Sequence, residues 1–372
     1  MTFRDLHQAV FSGEPVDEIL WQPRIEHWYE THKLHGTLPE RYREMTILDL
    51  FDDLHCSVRG YWAFNDSIRI EDSEEVRREV ATSGEQTITT EYTPAGTLTM
   101  IETRTPLAWH TEKYPVETPE DMRVMEWKLR HRRIWFDREY FDGACRRIRE
   151  RAAPCIYISR VNLMRLVHEY MGVEGGLIAV YEWPEATERL LRTINETDEA
   201  LLDVLCASPI EIINFGDNVH QAYCPPPLFE QWVLPEYQYR NEVLHAAGKR
   251  TYPHWDGDCG QLLPYVADCG FDGFEAITPV PQGDVTLEEM RDTLEGHILL
   301  DGIPCTDFLP ETPVESLLEN TEKCIEYFAP RLILGISDEL SPVGDIERVR
   351  MVSEFIEQRR PVQAATGGAD IA

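Results

Sequence analysis

From about residue 150 onward, short apolar runs alternate with helix-sized stretches. The runs are 156–160, 210–216, 250–254, 271–275, 297–301 and 331–336, and polar residues follow each one closely. Short, bounded apolar segments of this kind predict buried strands. Two earlier runs, 19–24 and 57–62, read as further strands, which makes eight. Repeated strand–helix units over one long domain predict an α/β fold, a single (β/α)8 TIM-type barrel spanning 1–360, rather than an open sheet. No Gly-x-Gly-x-x-Gly follows the first strand, so the dinucleotide-binding pattern is missing.

The first third is less regular. The chain opens with a helical pattern, and residues 46–54 predict a helix with Thr46 as its N-cap. His27, Trp28, Tyr29 and His32 have the spacing of an amphipathic helix, although such a segment can also line a pocket. Alternating β-branched residues on both sides of Thr93-Pro-Ala-Gly96 predict a β-hairpin, inserted near 86–104. Thr118-Pro-Glu-Asp121 starts another helix, with a cap and acids in its first turn. The tail, 361–372, is small and polar and is expected to be disordered.

Composition narrows the class. The chain has 372 residues, 42% hydrophobic and 27% charged, enough for a sizeable globular core. No run of about 20 apolar residues predicts a membrane span, and the N-terminus lacks the pattern of a signal peptide. A cytoplasmic protein is expected, with no membrane partner. A net charge of −32 argues against nucleic acid as a partner, because phosphate binding needs clustered Lys and Arg. The nine cysteines show no CxxC pair and are expected to be reduced, mostly as small packing residues. Cys259 opens a helix, where the backbone amides can activate a thiolate, but packing is the simpler expectation for it.

Candidate chemistry lies where the apolar runs stop. Arg160 and Asn162; Asn214, Asp217 and Asn218; His254 and Asp256; Glu275; Asp301; and Asp338 with Glu339 all follow or end predicted strands. In barrels of this type such positions share one face. His254 and Asp256 are two apart, so both point to the same side of an extended strand. With a neighbouring carboxylate they form a donor set for a divalent metal, zinc or another first-row ion. Alternatively, His254 bonds a carboxylate and Asp256 caps the following helix. Trp255, Tyr252, Phe215 and Phe274 are expected to make the mouth partly apolar, or to belong to the core.

Several of these stretches resemble the uroporphyrinogen decarboxylase superfamily. They are Gly248-Lys-Arg-Thr-Tyr-Pro-His-Trp-Asp-Gly257, Gln261-Leu-Leu-Pro-Tyr-Val266 and Gly270-Phe-Asp-Gly-Phe-Glu275, joined by Asn214-Phe-Gly-Asp-Asn218, Pro227-Leu-Phe-Glu-Gln-Trp-Val-Leu-Pro235, Asp338-Glu-Leu-Ser-Pro342 and the Thr93-Pro-Ala-Gly-Thr-Leu98 turn. The likeness runs from about 90 to 350 and implies a (β/α)8 barrel. True uroporphyrinogen decarboxylases carry a Met-Arg-Gln-Ala-Gly-Arg segment near the N-terminus. Here that region reads Trp21-Gln-Pro-Arg-Ile-Glu-His-Trp28, so porphyrinogen decarboxylation is not expected. The chain looks closer to the corrinoid-linked methyltransferases, such as the methylcobalamin:coenzyme M enzymes, which hold zinc through a His-x-Cys and a later Cys.

In this sequence His254-Trp-Asp256 stands where that family has His-x-Cys, and Asp338 stands where it has the second Cys. The resemblance implies His254, Asp256 and Asp338 as metal ligands, zinc foremost. Beside them, the strand-end positions make Glu275 a candidate fourth ligand or general acid and Asp217 a second catalytic candidate, with Arg160, Asn162, Asn218 and Trp255 expected around the substrate. Carboxylates in place of thiolates make a harder site, better suited to methylated oxygen or nitrogen compounds than to thiols. The implied function is a methyltransferase moving a methyl group between a small methylated compound and a corrinoid protein, the corrinoid being supplied by that partner. A homodimer is compatible with the sequence. The rival readings are a decarboxylase or lyase working by His/carboxylate acid–base chemistry on the same barrel, and a non-catalytic binding protein.

Overall fold

The structure is a computed structural model that describes residues 1–105 and 108–359. The tail expected at 361–372 lies outside the described residues.

The strands in chain order are β1 (Leu20–Trp21), β2 (Ile68–Glu71), β3 (Arg77–Ser83), β4 (Gln86–Thr93), β5 (Gly96–Arg104), β6 (Trp109–Lys113) and β7 (Arg133–Phe136), then β8 (Cys155–Ile158), β9 (Ile212–Val219), β10 (Arg250–Gly257), β11 (Gly273–Ile277), β12 (Ile298–Pro304) and β13 (Leu332–Ser337). A seven-stranded parallel sheet runs β1-β13-β12-β11-β10-β9-β8. The six late apolar runs are thus consecutive neighbours, and β1 pairs with β13 so that the sheet curls back toward its start. This is an α/β arrangement of the TIM type. Every residue of β11, β12 and β13 is buried, as befits strands covered on both faces. The covering helices present apolar stripes: Pro184–Ala207 buries Leu190, Leu191, Ile194, Leu201, Leu202 and Leu205.

The expected second strand needs correction. Residues 57–62 do not form a strand; after Gly60 the chain turns into the short helix Tyr61–Phe64. Residues 56–59 are buried and extend beside β1, where the Ser57 N–H donates to the Trp21 carbonyl at 2.8 Å. The Val58 N–H donates instead to the Arg151 carbonyl, just ahead of β8, so no ladder forms. The sheet therefore has seven strands rather than eight.

The base of the barrel is covered by the N-terminal helix Phe3–Ser12, started by a capping box between Thr2 and Asp5. Its Leu6, Val10 and Phe11 cluster with Leu20, Cys155, Ile212, Tyr252, Ile298 and Ile333 at or near the beginnings of the strands. The predicted hairpin is β4–β5, with Thr93 opposite Gly96. It lies inside a four-stranded antiparallel sheet, β3-β4-β5-β6, that packs on the helix Pro119–Arg130. Helices also stand where capping and spacing placed them, at Ile47–Asp53 after Thr46, at Pro119–Arg130 after Thr118, and at Glu26–His35. Among the described residues no helix is long and apolar enough to cross a membrane.

Candidate functional site

Strand alternation determines what faces the barrel interior. On β10, Tyr252 and His254 turn inward, while Thr251 and Trp255 turn toward the helices. His254 is opposite Glu275 of β11 in the register. At the carboxyl end of the sheet three non-glycine residues adopt left-handed backbone, Asn218 (φ 54°), Ala276 (φ 65°) and Asp301 (φ 83°). Such conformations gather where a site demands them.

His254, Asp256 and Asp338 come together there, each offering one ligand atom, and these atoms lie within 4.8 Å of one another. His254 is buried, and its Nε2 is 3.6 Å from Asp338 Oδ1. Its Nδ1 bonds Glu275 Oε2 at 2.8 Å. Burial alone would lower the His254 pKa, but the bond and charge of Glu275 outweigh it and raise the value. Burial, followed by the charge of Asp338, raises Asp256. Arg24, at the end of β1, forms an ion pair with Asp338 and approaches Glu339 at 3.9 Å.

Glu275 is fully buried and does not reach the three-residue cluster as a ligand. Its Oε1 accepts from Arg59, and its Oε2 accepts from Asn214 at 2.6 Å and Tyr157 at 3.4 Å as well as from His254. Burial pushes this carboxyl up, yet the Arg59 guanidinium and the His254 contact hold it well below the usual range. A carboxylate behind an imidazole whose other nitrogen faces acids is the usual outer support of a metal-binding histidine. One nitrogen and two carboxylates also suit a divalent first-row ion. The donor set fits the metal that the resemblance implies.

The remaining candidates divide. Arg160 and Asn218 bond each other at 3.0 Å on the rim, where Arg160 also pairs with Glu169 at 3.1 Å. The Asn218 carbonyl accepts from the Tyr223 hydroxyl at 2.6 Å. Three others are buried and bonded or packed within the protein. Asp217 is fully buried and accepts from the Val161 N–H and the Tyr237 hydroxyl, each at 2.7 Å, which ties a loop to a helix. Asn162 is buried, donating to the Trp232 carbonyl at 3.1 Å and accepting from the Leu163 N–H. Trp255 is fully buried among Phe229 and Phe274 in the helix layer, because its odd position on β10 points outward. Cys259 is buried against the Val219 carbonyl, a packing residue, and all nine cysteines are free.

Arg24 and Arg59 were not expected at the site. A sequence signal existed for Arg59, since it is a lone charge inside the buried run Cys56-Ser-Val-Arg59. Reading that run as a regular strand hid it.

A search of the curated proteins finds no significant match. Among solved structures, a methyltransferase from Methanosarcina mazei superposes with a TM-score of 0.57 at 13% identity, covering 96% of this chain and 99% of that one. At that identity the likeness establishes the fold. A B12-independent methionine synthase from Shewanella sp. W3-18-1 aligns at a TM-score of 0.44 and 12% identity, over 84% of this chain and 85% of that one. The family model described as uroporphyrinogen decarboxylase (URO-D) matches residues 163–359, more than half of the sequence, and the chain belongs to that family.

Proposed function

We propose that the protein is a metal-assisted methyltransferase that moves a methyl group between a small O- or N-methylated compound and a corrinoid protein. The observation that carries this reading is the His254–Asp256–Asp338 cluster at the carboxyl end of the sheet, backed by Glu275. Membership of the family and the fold shared with a methyltransferase are in keeping with it. The full eight-part barrel of the family fits the same reading, with residues 56–59 taking the place of the second strand.

His254 binds through Nε2, because Glu275 occupies Nδ1. Asp256 and Asp338 contribute oxygen. Arg24 neutralises Asp338 and sets the charge around the reacting group. Arg160 and Asn218 form a polar rim that orients the substrate. A divalent metal held here supplies Lewis acidity, polarising a methyl–oxygen or methyl–nitrogen bond.

The test combines elemental analysis of the purified protein with methyl transfer from candidate donors to an added corrinoid protein. The expected result is about one divalent metal per chain, with metal and transfer both lost in His254→Ala and Asp338→Asn. A chain that purifies without metal and transfers regardless of chelator sinks the metal role. One observation favours a second reading: His254 is buried between carboxylates with its pKa raised, as a general acid would be. Under that reading, a decarboxylase or lyase releases CO2 or an unsaturated product from a small carboxylic acid without metal.

A further inference from the structure

We propose that Arg59 is a positioning residue that pins Glu275 and, through it, holds the His254 ring with Nε2 turned toward Asp338. The geometry stands by itself; its use in binding metal rests on the function proposed above.

Arg59 is fully buried, a costly place for a guanidinium unless its contacts repay the desolvation. It reaches the barrel interior from residues 56–59, the segment that is not a strand. There it bridges two strands and the segment that follows β1. Nη1 pairs with Glu275 of β11, Nη2 meets Asp301 of β12 at 2.5 Å, and Nε meets the Gln22 side chain beyond β1 at 3.3 Å. The two oxygens of Glu275 are thereby divided, with Oε1 for Arg59 and Oε2 for His254, Asn214 and Tyr157. A free carboxylate turns readily about its last torsion. Held at Oε1, this one presents Oε2 to His254 in a fixed direction.

Two backbone features serve the same contact. Asp301 has φ 83°, which breaks the alternation of β12, and its carboxylate meets Arg59. Gly335 of β13 leaves the space: a Cβ there would lie 2.3 Å from Asp301 Oδ1 and 3.1 Å from Arg59 Nη2. One guanidinium serves two buried acids, Glu275 through Nη1 and Asp301 through Nη2.

The rival view is that Arg59 merely neutralises buried acids. The full chain, metal-free and labelled with 15N at histidine, separates the two at one fixed pH. The His254 Nδ1–H proton, assigned by its loss in His254→Ala, should be protected in the native chain and in Asp301→Asn, which keeps the Arg59–Glu275 pair. In Arg59→Lys a single ammonium cannot fork between both acids, and the proton should exchange at least tenfold faster with water. Gly335→Ala removes no charge and crowds Arg59 and Asp301 together, so it should give a smaller change in the same direction; it carries the test should Arg59→Lys not fold. Calorimetry with Co2+ alone should then show affinity falling about 10–100-fold in Arg59→Lys and holding in Asp301→Asn, although both lower Tm. Protection that survives Arg59→Lys, or is lost equally in Asp301→Asn, overturns the proposal. A native chain that takes no Co2+ yet shows the expected proton pattern removes the metal reading and leaves the positioning intact.

Discussion

His7 shows what one buried titratable side chain does to a fold. It is buried in the N-terminal helix, its ring 5.6 Å from that of Phe11, and neither ring nitrogen has a hydrogen-bond partner. Burial, with Arg59's charge adding to it, depresses its pKa from 6.5 to about 3. Between those values the unfolded chain binds a proton that the folded chain refuses, so stability rises with pH across that window. Above about 6.5 the contribution is flat. His7→Leu should therefore leave the neutral-pH Tm unchanged or higher and make acid unfolding begin at lower pH; an unaltered acid limb in urea melts at several pH values contradicts this. Trp255 gives a second prediction at this scale. Its place between Phe229 and Phe274 makes Trp255→Ala a cavity mutation costing about 3–5 kcal/mol, with metal affinity unmoved. A changed affinity at full stability would restore it to the substrate side. At this level the sequence was readable for His254 and Asp256, because strand alternation fixes where they point, while Asp338, just past the end of β13, was joined to them only through the family resemblance. Arg24 and Arg59 were hidden because their roles depend on partners far away in the chain, 314 and 216 residues off.

Among elements, the helix starts were the most legible features, because a cap is a local interaction. The Thr118 side chain accepts from the Asp121 N–H, and Asp121 returns the bond to the Thr118 N–H. Thr118→Ala should cost about 1 kcal/mol in denaturant melts, and Thr118→Ser should recover most of it. The late strands were legible too, since continuous apolar runs of that length have few alternative uses. Strand β3 was not: all its residues are exposed, and Arg77-Arg-Glu-Val-Ala-Thr-Ser83 has no apolar face to mark it. Its partner β4 holds it through the backbone register from Arg77 opposite Tyr92 to Ser83 opposite Gln86. The missing second strand failed for the opposite reason. Residues 56–59 are buried like a strand, but their amides find partners on three different segments, at Phe51, Trp21 and Arg151.

For the molecule as a whole, the charge of −32 is the dominant long-range term. Like charges spread over one surface repel, and salt screens that repulsion within about 10 Å at 0.1 M. Thermal melts from low salt to about 0.2 M NaCl should show Tm rising, with most of the gain at the low end. A Tm that falls over that range would mean that attractive pairs such as Arg151–Asp52 outweigh the repulsion.

The helix that covers the base of the barrel has a consequence for traffic. The helix closes the end of the curled sheet where the strands begin, and His254, Asp256 and Asp338 stand at the opposite end. Under the function proposed above, a small donor and a protein acceptor would share that end, and the larger visitor would block it. The donor would then have to be aboard before the acceptor arrives, and the spent donor would leave only after the acceptor has gone. Steady-state kinetics should show a compulsory order, with excess acceptor protein acting as a dead-end inhibitor against the small substrate.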